Sequence, residues 1–266
     1  MMEKRALVTG GGKRLGAAMS RYLGTRGFDV AIHYNGSEAG AVEVAADVAR
    51  AGRQGIPLQG DLLDENATEG LVGRAADALG GPLTLLVNNA SIFEPDTLQT
   101  VSRESWDRHL ESNLRVPVVL SQAFAAQAPR ATQDHRGEPL PQALIVNMLD
   151  CRIHQLTPNY LSYTLAKMAL YAFTTTGAQS LVPDIRVNGI GPGWTLRDPD
   201  QSDEDFLRAR AAVIPGRGPG APDICAALGF FLDSPSVTGQ TIVVDGGQQF
   251  DWPSRKSGVK TPVNVE

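Results

Sequence analysis

Three side chains between residues 145 and 167 have the types and the spacing needed for acid–base chemistry. An apolar run over residues 145–148 predicts a buried strand; Asp150 follows its end, Tyr163 comes 13 positions later, and Lys167 four beyond that. Residues four apart share one face of a helix. A nearby ammonium favours the phenolate and lowers a tyrosine pKa from about 10, so Lys167 would make Tyr163 usable near neutral pH. A buried carboxyl at Asp150 could supply or pass the proton.

The spacing of Tyr163 and Lys167 is a weak signal by itself, because it recurs by chance in many helices. The alternative is a surface tyrosine and lysine with no chemical role. Asp150 has its own alternative, a buried carboxylate that is hydrogen-bonded for structural reasons. His154 lies in the loop between Asp150 and Tyr163, and we interpret it as a pocket-wall residue at most.

The elements around these residues alternate between apolar strands and helical patterns along the chain. Continuous apolar strands such as those at 83–87 and 241–244 indicate burial on both faces. The pattern predicts an α/β fold with a single Rossmann-type, doubly wound parallel sheet of about seven strands and helices on both faces. One domain spans residues 1–247, and residues 248–266 form a C-terminal tail, arm or disordered segment. We expect a helical region over 102–128 with a break at Pro117, and an exposed polar loop over 129–142.

A glycine-rich stretch separates the first strand, residues 5–9, from the first helical pattern, residues 17–26. It contains Gly10, Lys13, Arg14, Leu15 and Gly16. Small residues there let a dinucleotide pyrophosphate approach the backbone and the free N–H groups of the helix start. The G-x-G-x-x-G fingerprint is absent, so a merely flexible turn is the alternative.

The end of the second strand indicates which dinucleotide would bind. An acidic residue there would bind a ribose hydroxyl and indicate NAD, but this strand ends in His33, Tyr34, Asn35 and Ser37 without a carboxylate. With Lys13 and Arg14 nearby, the pattern favours the 2′-phosphate of NADPH. The alternative is that both cations are solvated surface charges. His33 is interpreted as a neighbour of the adenosine that is anchored to the backbone.

Composition narrows the class of protein further. The net charge is −5 and no basic block occurs, which disfavours nucleic acid as a partner. The chain has 2 cysteines and no metal-ligand spacing, so we expect no metal and no disulfide framework. The start lacks a signal-peptide pattern and no apolar run reaches membrane-spanning length, which favours a cytoplasmic protein without a membrane partner.

The ordered motifs up to residue 247 resemble the short-chain dehydrogenase/reductase family. They are Thr9 to Gly16, Asp61-Leu62, Asn88-Asn89-Ala90, Asn113, Tyr163 with Lys167, Pro192-Gly193 and Val244 to Gly247. The resemblance implies that Tyr163 is the proton donor, that Lys167 holds the ribose and tunes the tyrosine, and that Asn113 supports a proton-relay water. It implies that Asp61 and Leu62 contact the adenine of the cofactor. It also implies that the nicotinamide side is lined by Asn89, Ala90, Met148, Pro192, Gly193 and Thr195.

Two departures from that family resemble pteridine reductases in particular. Arg14 stands where glycine is usual, and Asp150 stands where serine is usual. The segment Asn89 to Phe93 is also similar, which implies that Ser91 contacts cofactor and pterin and that Phe93 sandwiches the pterin against the nicotinamide. An aromatic ring suits a flat heterocycle, although Phe93 could be ordinary core. Gly36 is a mismatch, because those enzymes can carry an arginine there for the 2′-phosphate.

The resulting hypothesis is hydride transfer from NADPH to a dihydropterin or dihydrofolate-like ring. Substrate contacts would come from Arg14, Ser91, Phe93, Asp150 and Tyr163, under a mobile lid at residues 196–214. A generic carbonyl reductase acting on a ketone, sugar or 3-oxoacyl substrate is the alternative enzyme, and a non-catalytic dinucleotide-binding regulator is the alternative class. The resemblance also implies a homotetramer that pairs the helices at 102–128 and 163–181. The sequence does not decide whether Trp252 or Arg255 reaches a neighbouring active site.

Overall fold

The computed structural model describes residues 4–197 and 201–250 of the chain. Its main element is a seven-stranded parallel sheet in the order β3-β2-β1-β4-β7-β8-β9. The strands in chain order are β1 (Arg5–Val8), β2 (Asp29–Tyr34), β3 (Gly55–Gln59), β4 (Leu85–Asn88), β5 (Thr132–Gln133), β6 (Pro139–Leu140), β7 (Ala143–Met148), β8 (Ile185–Pro192) and β9 (Thr241–Val244).

Helices cover both faces of this sheet, as predicted. They are α1 (Arg14–Thr25), α2 (Glu38–Arg50), α3 (Glu65–Ala78), α4 (Arg103–Leu110), α5 (Val116–Gln127), α6 (Leu161–Leu181), α7 (Asp203–Ala211) and α8 (Ala221–Asp233). One core packs α1, α2 and α8 on the sheet, and the other packs α3, α5 and part of α6 on the opposite face. Successive strand residues alternate between the two cores, so Ala6 and Val8 belong to the first and Leu7 to the second.

The order of the strands creates the crevice in which the site lies. The chain builds β1, β2 and β3 outward in one direction, then returns to place β4 on the other side of β1. Where the strand order reverses, the loops after β1 and β4 separate and leave a crevice at the carboxyl ends of the strands. The loop after β7 borders the same edge, because β7 pairs with β4 in parallel.

The break in the helical region over 102–128 occurs before Pro117, not at it. Residues Glu111–Arg115 form a π-helical turn between α4 and α5, and Pro117 fits within the first turn of α5. Proline is tolerated there because its missing N–H would have no partner within the helix. The unpredicted turn contains Asn113, and such turns are frequent at functional sites.

The insertion at 129–142 is not the loop that the sequence predicted, because β5 and β6 pair in it as a small antiparallel hairpin. Its turn is closed by Asp134, whose carboxylate accepts the backbone N–H of Arg136 (2.7 Å) and of Glu138 (2.9 Å). Gly137 takes a positive φ of 78°, which glycine adopts without strain.

Within the described ranges, no helix is long and apolar enough to cross a membrane.

Candidate active site

The three predicted acid–base groups converge at the end of β7. The Tyr163 hydroxyl donates to Asp150 Oδ2 at 2.8 Å. Lys167, one turn further along α6, donates from Nζ to the Met148 carbonyl at 2.7 Å and lies 5.7 Å from the centroid of the Tyr163 ring. Tyr163 and Lys167 are 5% and 3% exposed. The alternative that these two residues lie on the protein surface is therefore wrong.

The pKa of Tyr163 shifts in the direction opposite to the one expected from Lys167. Burial raises the pKa of Tyr163 well above its ordinary value, and the negative charge and hydrogen bond of Asp150 raise it further. Lys167 does not reverse this, since its ammonium bonds to the Met148 carbonyl and is itself desolvated. Burial lowers the pKa of Lys167 to about 8, against a smaller opposing effect of Asp150. Tyr163 therefore keeps its proton at neutral pH and is suited to act as an acid.

Arg152 also contacts the carboxylate, which sequence reasoning missed. Its backbone N–H donates to Asp150 Oδ1 at 2.8 Å, and its Nη1 lies 3.3 Å from Oδ2. Residues 151–153 form one turn of 3₁₀ helix that Asp150 caps. Every polar neighbour of Asp150 in the described chain is a donor, counting the Cys151 thiol at 3.6 Å. The Asp150 carboxylate accordingly accepts every one of these hydrogen bonds.

Aromatic rings form the wall beside the triad. Phe93 and Tyr160 stack face to face, with centroids 4.2 Å apart and planes 6° apart. Phe93 also meets Tyr163 edge-on at 4.7 Å. Both Phe93 and Tyr160 line the cleft and are only half-buried. Phe93 is therefore a pocket residue, and the alternative of ordinary core does not hold.

Asn113 does not touch the triad but fixes the loop that carries Ser91 and Phe93. Its Oδ1 accepts the Ile92 N–H at 2.9 Å and the Ser91 hydroxyl at 3.2 Å, and its Nδ2 donates to the Ile92 carbonyl at 2.8 Å. The side chain thus behaves as a backbone clamp. Asn113 belongs to the π-helical turn at 111–115, and this turn directs its side chain towards the loop.

The glycine-rich loop fits the backbone approach that a dinucleotide pyrophosphate requires. Gly10 has a φ of 60°, and a Cβ on Gly16 would lie 2.1 Å from the Gly10 carbonyl oxygen. No larger residue fits at position 16 without moving that backbone. Thr9 locks the loop to the end of β4, since its Oγ1 accepts the N–H groups of Asn89 and Ala90 at 2.9 Å each. The flexible-turn alternative is thus not supported.

His33 lies beneath this loop. Its Nδ1 accepts the Gly10 N–H at 3.1 Å and its Nε2 lies 3.0 Å from the Gly60 carbonyl, so both ring nitrogens have backbone partners. Burial lowers the pKa of His33, which keeps the ring neutral. The nearby Leu62 side chain is buried in the core, so only its backbone could contact an adenine.

Arg14 points across the cleft. It has a φ of 51°, and its guanidinium donates to the carbonyls of Arg197 at 2.8 Å and Leu196 at 3.4 Å. This arrangement connects the phosphate loop to the first residues of the predicted lid. The Arg14 guanidinium therefore lies beside residues 196–197 and not at the end of β2. Tyr34, Asn35 and Ser37 remain there as candidate contacts for the 2′-phosphate.

One cleft of about 820 Å³ joins the phosphate loop to the triad. Predicted site residues that line it are Gly10, Lys13, Arg14, Leu15, Gly16, Asn89, Ala90, Ser91, Phe93, Met148, Asp150, Tyr163, Lys167, Pro192, Gly193 and Thr195. Predicted residues outside its lining are His33, Tyr34, Asn35, Ser37, Asp61, Leu62 and Asn113. Lining residues that the sequence analysis missed include Arg152, Tyr160, Trp194 and Gln248.

Gln248 shows that the site extends into the first residues of the predicted tail. Residues 248–250 form a single 3₁₀ turn, and Gln248 Oε1 accepts the Trp194 N–H at 3.3 Å. Gln248, the first residue assigned to the tail, therefore belongs to the lining of the cleft. Trp252 and Arg255, the candidates for contact with a neighbouring subunit, lie outside the described residues.

A buried polar cluster sets the start of α6 and thereby the position of Tyr163. Asp96 Oδ1 accepts the Ser162 N–H at 3.2 Å, and the Asp96 carbonyl accepts the Tyr160 N–H at 2.7 Å. The Ser162 hydroxyl bonds to Asp96 Oδ2 and lies 2.7 Å from His109 Nδ1. Asp96 thus acts as a helix cap supplied from a distant loop, which moves the helix start to Leu161, two residues earlier than predicted.

Comparison with known proteins supports the fold and the family of this chain. A family profile described as enoyl-(acyl carrier protein) reductase matches residues 12–249. The crystal structure of FolM alternative dihydrofolate reductase 1 from Brucella suis, in complex with NADP, is 39% identical, with a TM-score of 0.86, over 94% of this chain and 96% of that one.

Two curated relatives are similar over comparable lengths. Pteridine reductase 1 of Leishmania tarentolae is 32% identical over 91% of this chain and 95% of its own. The 3beta-hydroxysteroid dehydrogenase 1 of Eggerthella lenta is 31% identical over 92% and 93%. These proteins share the scaffold and differ in the substrates that their names state.

Proposed function

Because the chain belongs to the short-chain dehydrogenase/reductase family of oxidoreductases, we propose that it is an NADPH-dependent reductase of a pterin ring, of the dihydropterin or dihydrofolate kind. The observation that carries this proposal is the Asp150 carboxylate bonded to the Tyr163 hydroxyl, with the Phe93 ring 4.7 Å from that tyrosine. A pterin presents a flat aromatic face and ring nitrogens that take up protons, and this wall supplies a partner for each. The names of the Brucella and Leishmania relatives agree with this substrate class.

The cofactor would occupy the cleft from the phosphate loop to the triad. The open backbone around Gly10 and Gly16 suits the pyrophosphate, and the strand end at Tyr34 and Asn35, which lacks a carboxylate, suits a 2′-phosphate. Lys167 would hold the ribose. When bound, NADPH supplies the hydride, and the protein orients the rings and handles the proton. The Brucella structure contains NADP, which supports the choice of dinucleotide.

The residues of the chain would handle the proton in two steps. Tyr163, neutral because burial raises its pKa, gives its hydroxyl proton to the ring nitrogen next to the carbon that receives the hydride. Asp150 then returns a proton from solvent to the phenolate, directly or through water. The substrate gains one C–H and one N–H bond, and the tyrosine is restored.

A generic carbonyl reductase is the second candidate, favoured by the similarity to the Eggerthella 3beta-hydroxysteroid dehydrogenase. The two candidates are separated by an absorbance assay of NADPH oxidation with dihydrobiopterin, dihydrofolate and a panel of ketones. We expect turnover of at least one pterin with kcat/KM well above that of every ketone. Turnover of ketones alone would reject the pterin proposal.

Asp150→Ser sharpens this experiment, since serine is the residue that the family usually carries there. We expect the variant to lose pterin reduction by about 10²-fold while ketone reduction is unchanged or improved. Asp184→Ser is the matched control: its side chain is 19% exposed, against 16% for Asp150, and it bonds to Arg130 away from the cleft. Equal losses in both variants would point to destabilisation.

The quaternary structure that we propose is a homotetramer. Exposed apolar side chains on the two helices near the predicted interface support it, with Trp106 on α4 39% exposed and Leu165 on α6 43% exposed. Static light scattering on the intact chain tests it. A monomeric mass at assay concentration would contradict the assembly and leave the reductase proposal untouched.

A further inference from the structure

Arg152 is a pocket residue to which neither the motifs nor the proposed chemistry gives a role. It lines the cleft, its side chain is 21% exposed, and it forms an ion pair with Asp150 at 3.3 Å. Among the residues that the structure describes, no other cation lies within ion-pair distance of that carboxylate. Lys167 is close in the fold, but its Nζ bonds to the Met148 carbonyl.

The guanidinium also contacts the aromatic wall. Its central carbon lies 5.2 Å from the Phe93 centroid and 5.1 Å from the Tyr160 centroid, within the range of cation–π attraction. Both rings belong to one stacked pair. Arg152 therefore touches the two features on which the proposed reaction depends, the carboxylate and the stacking surface.

We propose that Arg152 is a positioning residue that holds the Asp150 carboxylate by an ion pair and aims Oδ2 at the Tyr163 hydroxyl. The inference rests on the proposed proton-transfer role of Asp150. Two contacts fix the carboxylate from the same residue, the backbone N–H on Oδ1 and Nη1 on Oδ2. Tyr163 bonds to Oδ2 at 2.8 Å, so a rotation of the carboxylate would break the connection between the acid and the group that relays its replacement proton from solvent.

The charges that face Asp150 determine what removal of Arg152 does. The 3₁₀ turn places the Arg152 guanidinium and the Cys151 thiol near Asp150. Helix α6 places the Tyr163 phenol and the Lys167 ammonium there. Asp245, at the end of β9, adds a negative charge near Cys151. Without Arg152, the carboxylate loses its ion-pair partner and takes up a proton more readily.

The test begins with Arg152→Met, which keeps the length of the side chain and removes its charge. We expect kcat to fall by about tenfold, less than the 10²–10⁴ of a direct proton donor. We also expect the limb of the kcat–pH profile that depends on the Asp150 proton to move to higher pH. Arg152→Lys keeps the charge and should keep the position of that limb even where the rate falls. A structural role alone would scale the profile without moving it.

Arg53→Met is the matched control for loss of an arginine from a half-buried ion pair. Arg53 is 33% exposed and pairs with Asp29 at 2.7 Å, at the start of β2 and far along the sheet from the cleft. Its pH profile should coincide with that of the unchanged protein. If Arg152→Met does not fold, Arg152→Gln takes its place: a limb displaced to higher pH supports the inference, and an unmoved limb contradicts it.

A double-mutant cycle with Asp150→Asn separates this inference from the proposed function. If Arg152 acts through Asp150, Arg152→Met costs about tenfold in the unchanged protein and almost nothing in the Asp150→Asn background. Equal losses in both backgrounds, or no loss in either, overturn the role of Arg152. Full activity of Asp150→Asn alone would instead remove the proposed role of Asp150, whatever Arg152 does.

Discussion

One wall of the cleft comes from the carboxyl ends of β1, β4 and β7 together with α6, and the other comes from residues 194–197 and 201 with the segment 202–218 that follows them. We call them the strand-end wall and the lid wall. Tyr163 and Lys167 in the first are almost fully buried, whereas α7 in the second has no buried residue. The strand-end wall is fixed by the sheet; the lid wall is fixed by arginine side chains that donate to backbone carbonyls, from Arg14 on one side and Arg210 on the other.

This difference separates the reaction from the choice of substrate. Groups that move a proton need fixed geometry, which buried strand ends provide. A surface that admits substrates of varied shape can be less stable, because few apolar contacts resist its opening. Changes in the strand-end wall should therefore alter turnover or folding strongly, and changes in the lid wall should alter substrate affinity moderately.

The largest effect is expected from Tyr163→Phe in the strand-end wall. The ring keeps its packing but the proton donor is lost, so kcat should fall by about 10³-fold with the Kd for NADPH unchanged. Steady-state kinetics and a fluorescence titration of NADPH measure the two quantities. Tyr171→Phe on the same helix is the control, since that ring contacts His154 edge-on and does not line the cleft. Substantial turnover by Tyr163→Phe would mean that the proton comes from elsewhere.

The next prediction tests whether burial of the Lys167 ammonium in the strand-end wall lowers the free energy of unfolding. Burial lowers the pKa of Lys167 to about 8 from an ordinary 10.5. Between these pH values the unfolded lysine holds a proton that the folded one lacks, so stability gained from this residue rises with pH. The free energy of unfolding of the cofactor-free protein, minus that of Lys167→Met, should rise by about 3 kcal/mol from pH 7 to pH 10.5.

Urea unfolding of both proteins at several pH values gives this difference and cancels the titration of all shared groups. A flat difference across the range would show that the Lys167 ammonium is solvated, contrary to its burial in the structure.

The strand-end wall is also the part that the sequence predicts best. The seven parallel strands, the glycine-rich loop and the convergence of Asp150, Tyr163 and Lys167 follow from local patterns and from the rule that parallel strands end at one edge. The pKa direction of Tyr163 does not follow, because it depends on how deeply the hydroxyl is buried and on which group Lys167 bonds to. Neither can be read from spacing.

Features that depend on distant partners were not predictable. Asp96 caps α6 from a loop 66 residues away in sequence, so no local signal marks Leu161 as the helix start. Tyr160, which precedes it, adopts a φ of 59°, unusual for a tyrosine. The stacked pair of Phe93 and Tyr160 and the contact of Arg152 with it depend on the conformation of residues 151–160. Because that conformation was not predicted, these contacts were not predicted either.

Ser162→Ala tests the side-chain contacts of this buried cluster, in which the Ser162 hydroxyl bonds to Asp96 and His109. His109 Nε2 accepts the Glu94 N–H at 3.1 Å, so Nδ1 carries the ring proton and donates to the Ser162 hydroxyl. Removing the hydroxyl takes one acceptor from that buried N–H and one donor from Asp96 Oδ2, which should cost about 2 kcal/mol of unfolding free energy. Ser180→Ala is the control, since that exposed hydroxyl bonds within the same helix to the Thr176 carbonyl. Equal stability of both variants would show that the Ser162 hydroxyl does not stabilise the cluster.

The smallest effect is expected in the lid wall, from Arg210→Met. The Arg210 guanidinium donates to the carbonyls of Trp194 at 2.7 Å and Gly218 at 2.6 Å, and it lies 5.3 Å from the centroid of Phe206. It thereby joins the two ends of the lid wall. Without this side chain the two ends separate more easily. Part of the binding free energy of the substrate is then used to bring them together.

We expect KM for the substrate to rise a few-fold in Arg210→Met while kcat and the Kd for NADPH stay within about twofold, because the proton donor is held from the opposite wall. Arg208→Met is the control on the same helix, since Arg208 pairs only with exposed Glu204 and Asp205 and such pairs contribute little. A fall in kcat as large as that of Tyr163→Phe would erase the division between the walls, since it would place the lid wall among the groups that fix the reacting geometry.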